Sequence, residues 1–83
     1  MAVITLAQVF LLGMPVLHVT HDEDEGGWQF LTGEIVEVSQ PFMVALREMI
    51  EHDPSLVPLA DLPLGWHAWR VDKDAKWERG PIR

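Results

Sequence analysis

Residues 16–31 read Val16-Leu17-His18-Val19-Thr20-His21-Asp22-Glu23-Asp24-Glu25-Gly26-Gly27-Trp28-Gln29-Phe30-Leu31, two apolar runs around a polar, glycine-ended one. Residues 16–20 are short and rich in β-branched side chains, and residues 28–31 are aromatic and apolar, so both suit strands. Residues 21–27 between them are polar and end in two glycines that can take positive φ. The stretch reads as a β-hairpin, broken by Thr32 and Gly33.

Residues 66–71 and 76–79 read as a second hairpin around Asp72-Lys73-Asp74-Ala75. A symmetric turn sets Arg70 opposite Trp77, within reach of a cation–π contact. Between the hairpins, Ser39-Gln40-Pro41 has the form of a helix start, with a hydroxyl cap and then proline in the first turn. Phe42, Met43, Leu46, Met49 and Ile50 share one helical face, while Arg47, Glu48 and Glu51 share the other. Pro54 ends that pattern near His52. The spacing predicts a main helix over about 40–52.

Residues 53–65 contain three prolines and cannot form one long helix. Asp53 is placed to cap a single turn starting at Pro54, after which Leu56, Leu59 and Leu62 should wrap the core. At the amino end, Thr5 could cap a helix over 6–12, closed by Gly13 in the left-handed conformation with Pro15 beyond. A strand over 3–9 fits the same apolar run. The expected fold is α+β: two antiparallel β-hairpins in one sheet, packed against one main helix, with a short N-terminal helix or strand.

The 83 residues allow a single domain, and 48% apolar content supports a globular core. There is no cysteine, which excludes a disulfide framework, a thiolate zinc site and a cysteine nucleophile, and points to a reducing cytoplasm. Net charge is −7, unevenly distributed: residues 1–46 hold six acids and no Lys or Arg, and the rest holds seven acids and six bases. Such a chain repels phosphate backbones and attracts basic proteins. Residues 1–20 carry no charged side chain, but they lack the basic start of a signal peptide. Gln8, Gly13, Pro15 and His18 interrupt any membrane span. Residues 1–12 therefore read as core, or as a surface for self-association.

Four motifs occur in order: His21-Asp22-Glu23-Asp24, Trp28-Gln29-Phe30-Leu31, Asp53-Pro54-Ser55-Leu56, and Ala60-Asp61-Leu62-Pro63-Leu64-Gly65-Trp66-His67-Ala68-Trp69-Arg70 with a final Trp77. Over about residues 15–80 the chain resembles a family of small bacterial proteins classed as a domain of unknown function. That family is similar to immunity-protein-like domains of polymorphic toxin systems. The resemblance implies a bacterial cytoplasmic protein that protects by binding a toxin, and it transfers no catalytic residue.

The run from His18 to Glu25 invites a metal. A calcium loop starting at Asp22 would find Gly26 at its third carboxylate position and Gly33 at its bidentate glutamate. His18 and His21 are three apart, so on a strand they point to opposite faces, and only a bend at Thr20 could make them converge on a metal. His52, Asp53 and Ser55 are the right types for a hydrolytic relay, but a loop cap is the simpler use of them. Trp28, Trp66, Trp69 and Trp77 are many large rings for so small a core, and tryptophan is enriched among interface anchors. The expectation is a non-catalytic, protein-binding chain without metal or cofactor. Asp22, Glu23, Asp24 and Glu25 would face a basic partner, with Trp28 as the anchor. The alternative is a small metal-dependent or hydrolytic enzyme using the loop from His18 to Glu25.

Overall fold

The computed structural model describes residues 1–33 and 41–82, which build a six-stranded mixed sheet with short helices packed on one face. In chain order the elements are β1 (Ala2–Leu6), α1 (Ala7–Leu11), β2 (His18–His21), β3 (Trp28–Leu31), β4 (Pro41–Ala45), α2 (Leu46–His52), a 3₁₀ helix (Pro54–Asp61), β5 (Trp66–Trp69) and β6 (Glu78–Pro81). The sheet order is β4-β1-β3-β2-β5-β6. β1 runs parallel to β3, and every other neighbouring pair is antiparallel.

The amino end is both a strand and a helix. Val3 and Thr5 point into the core while Ala2 and Ile4 face out, the two-residue period of a strand. Thr5 caps no helix. It is fully buried in β1, and its hydroxyl donates to the Phe30 carbonyl at 2.9 Å, which satisfies a polar group in a dry site. α1 follows at once, burying Val9, and Gly13 at φ 67° ends it in the left-handed conformation. Leu11 and Leu12 remain exposed.

The main helix expected over 40–52 is half strand. Residues 41–45 pair along their whole length with β1, from Ala2 opposite Ala45 to Leu6 opposite Pro41, and only Leu46–His52 is helical. The apolar run of 42–46 fits either period, and a continuous ladder with β1 decides for the strand. The helix starts at Leu46 after the extended N-cap Ala45, whose N–H donates to Glu48 Oε1 at 3.1 Å. The cap expected at Ser39 and the acids Glu34 and Glu37 lie outside the described residues.

The antiparallel pairs β2–β3 and β5–β6 are parts of one six-stranded mixed sheet that also holds β1 and β4, and short helices rather than one main helix accompany it. β2 pairs with β5, joining them into the larger sheet, and the strands are shifted from the expected limits. β2 begins at His18 rather than residue 16, because Val16 is a buried core residue whose carbonyl accepts from Arg70 Nε at 3.0 Å.

Asp53 caps the segment at Pro54, accepting from the Ser55 N–H at 3.1 Å, and eight residues rather than one turn become 3₁₀ helix. Leu56, Leu59 and Leu62 are all buried, together with Val3, Val9, Val19, Phe30 and Met49. Each such side chain contributes about 1.5–3 kcal/mol from burial. The helices thus cover one face of the sheet.

Candidate protein-binding site

The loop between β2 and β3 is built by Asp22. Its carboxylate accepts from the N–H groups of Asp24 at 3.2 Å and Glu25 at 3.4 Å, and the backbone closes with Gly26 N–H to Asp22 O and Asp22 N–H to Gly27 O. Gly26 at φ 72° makes that closure possible. Asp22 is therefore half-buried and spent on the turn, while Glu23, Asp24 and Glu25 point outward and exposed. The loop is also tied to the segment before β5, where Gly65 N–H donates to His21 O at 2.8 Å and Glu23 lies against Gly65.

Trp28 is the first residue of β3 and faces the helices. Its ring stacks on His21, with centroids 3.9 Å apart, and lies 6.1 Å from Phe30. His21 is held in turn by a 2.7 Å hydrogen bond between Nδ1 and the Leu62 carbonyl. Trp28 is half-buried, and with Phe30 it forms part of the wall of a groove of about 380 Å³. Leu46 and Ile50 of α2, Val57 and Ala60 of the 3₁₀ helix, and Met1 contribute to the other walls. The groove is apolar throughout, and its Trp28 wall follows directly from the acidic loop.

His18 and His21 do face opposite ways. His18 lies on the outer face, where its Nε2 is 2.9 Å from Nδ1 of His67 on β5. The ring centroids are 5.2 Å apart, about the N···N distance plus two ring radii, so the two nitrogens point straight at each other. That is the geometry of one shared proton rather than of two lone pairs converging on a metal. Burial, and then the neighbouring His67, push the His18 pKa below the ordinary imidazole value. Among the described residues, no group of three or more His, Cys, Asp or Glu is placed to hold a metal ion.

A second, polar cavity of about 260 Å³ lies among Val9, Pro15, His52, Asp53, Ser55 and Arg70. Its polar groups serve one another. Ser55 Oγ donates to Asp53 Oδ1 at 2.6 Å, and His52 Nε2 lies 3.1 Å from the Val9 carbonyl, so no serine–histidine hydrogen bond forms. Arg70 donates to Val16 O, Ser55 Oγ, Lys73 O and Asp53 Oδ2.

The structure thus brings Trp28 and the exposed acids of the loop to one end of the sheet. Sequence reasoning missed the walls contributed by Met1, Leu46, Ile50, Val57 and Ala60. Their signal was the apolar period of 46–50, but the facing wall depends on where the 3₁₀ helix lies. Among the described residues no helix is long and apolar enough to cross a membrane. In comparisons with known proteins, no family model, no curated protein and no solved structure matches this chain.

Proposed function

We propose that this chain is a non-catalytic binding protein: the acidic loop draws in a basic protein partner, and the apolar groove holds one of its apolar side chains. The observation that carries this reading is the position of Trp28, which follows the loop in sequence and forms a wall of the groove. Exposed charges act mainly on the rate of encounter, while an aromatic wall around a dry pocket acts on the lifetime of the complex. A groove of this volume suits a single large side chain. The resemblance to immunity-protein-like domains favours a toxin as the partner, bound in a bacterial cytoplasm.

The test is capture with three forms of the protein: wild type, the loop-neutralised variant Glu23→Gln/Asp24→Asn/Glu25→Gln, and the groove-filling variant Ala60→Trp. The expected result is a basic protein retained by wild type and lost from both variants at physiological salt. An acidic partner, or equal retention by all three folded forms, overturns the reading.

A further inference from the structure

The face of the sheet opposite the helices has an unusual composition. The register places Ile4, Gln29, Met43, Thr20 and Trp69 on it, beside the His18–His67 pair. Met43 is 67% exposed, Trp69 38% and Ile4 36%, and Gln29 is exposed at the centre. Among the described residues, the outward positions of β1 to β5 include no Asp, Glu, Lys or Arg, and Glu78 stands at the β6 margin. Charged residues make up 23% of the chain, and the solvent side of a sheet is ordinarily polar. His18 adds little charge at neutral pH, because its environment disfavours the protonated form.

We propose that this uncharged sheet face is a self-association surface, on which a second copy of the chain packs sheet against sheet in a two-fold dimer. Two chains of net charge −7 repel each other in most orientations. Among the described residues neither copy presents a charge across this face except Glu78 at the rim, so like-charged copies can meet there without pairing carboxylates. The groups there are also self-complementary, with exposed apolar side chains around neutral hydrogen-bonding ones. A basic partner gains nothing from such a surface, so the occupant differs from the one proposed for the groove. The two sites lie on opposite faces, and each stands without the other.

The area sets the strength. Six strands about 4.8 Å apart, with four or five residues each rising about 3.3 Å, give roughly 400 Å² per copy. Both copies together bury about 800 Å², below the roughly 1,200 Å² of stable interfaces, so the dimer is weak and visible only in concentrated solution.

Sedimentation equilibrium on the full chain at neutral pH tests this, at low salt and at about 0.5 M salt, up to about 1 mM chain. The mass should rise from 9.4 kDa towards twice that value with concentration. High salt should strengthen the association by screening the −7 charges, which is the opposite of its effect on a steered basic partner. Gln29→Glu is nearly isosteric and exposed, so it should fold normally, as circular dichroism can verify. It should weaken association about tenfold or more by placing two carboxylates in the interface, while leaving capture of a basic partner intact. A wild type that is monomeric at every concentration and salt overturns the proposal. So does a folded Gln29→Glu variant that associates as tightly as wild type.

Discussion

The guanidinium carbon of Arg70 lies 4.2 Å from the ring centroid of Trp77, across the turn that joins β5 to β6. Trp69 pairs with Glu78, so the next rung sets Arg70 opposite Trp77. The Arg70 side chain is only 2% exposed, and its donors reach the chain at Val16, Ser55, Lys73 and Asp53. The Trp77 indole N–H also donates to Ser55 O, so strand, turn and 3₁₀ helix meet at this pair. Arg70→Met should cost about 2–4 kcal/mol, because it takes the cation from Asp53 Oδ2 and leaves the Val16 and Lys73 carbonyls without this donor, while Asp53 Oδ1 keeps its two bonds from Ser55. Arg70→Lys keeps the charge but not the planar fork, and should recover only part of that loss. Urea denaturation of the three proteins checks the order.

His18 gives the fold a pH dependence whose sign follows from its lowered pKa. As pH falls through the ordinary value of 6.5, the unfolded chain takes up a proton at this position before the folded chain does. Burial penalises the charged imidazole, so the stability contributed by a neutral His18 is complete above that value and is lost as pH falls towards the lowered folded pKa. Asp61, held low by Arg79, acts at more acid pH, below the usual carboxylate value of 3.8. Denaturation midpoints should fall as pH drops below 6.5, and the fall should be shallower in His18→Gln. An unchanged slope in that variant would assign the titration elsewhere.

Gly65 has φ 79°, and a Cβ there would lie 2.9 Å from Glu23 Oε1. Backbone strain should outweigh the collision, because the colliding atom is the free end of a flexible side chain. Gly65→Ala should cost about 1–2 kcal/mol, and removing Glu23 in the same protein should recover only a few tenths. A thermal melt in which Glu23→Ala restored full stability would instead show that the collision with Glu23 outweighs the backbone strain.

Much of the local structure was legible because it rests on short-range rules. Gly13 ends α1, Asp53 caps the segment at Pro54, the three leucines after it are buried, and Arg70 meets Trp77. The strand at 41–45 was not legible, because helix-like start residues precede an apolar run that satisfies both periods. Only its partner, far away in sequence, decides it, as Leu6 opposite Pro41 and Thr5 opposite Phe42 show. The parallel pairing of β1 with β3 is non-local in the same way. For the site, the acids and Trp28 could be read from the chain, but the groove could not, since its walls come from four separate segments. Nor could Asp22 be told from its neighbours until the turn showed that its carboxylate is already occupied.

Stopped-flow kinetics on the basic protein that wild type captures separate the two roles, charge setting arrival at the groove and Trp28 the lifetime there. Association should slow as salt rises, and neutralising Glu23, Asp24 and Glu25 should slow it further and flatten that dependence. Trp28→Phe, which keeps a ring against His21, should leave association nearly unchanged and speed dissociation by about tenfold. A loop-neutralised protein that associates as fast as wild type at low salt would show that charge does not steer arrival, and a Trp28→Phe variant with an unchanged dissociation rate would show that Trp28 does not set the lifetime.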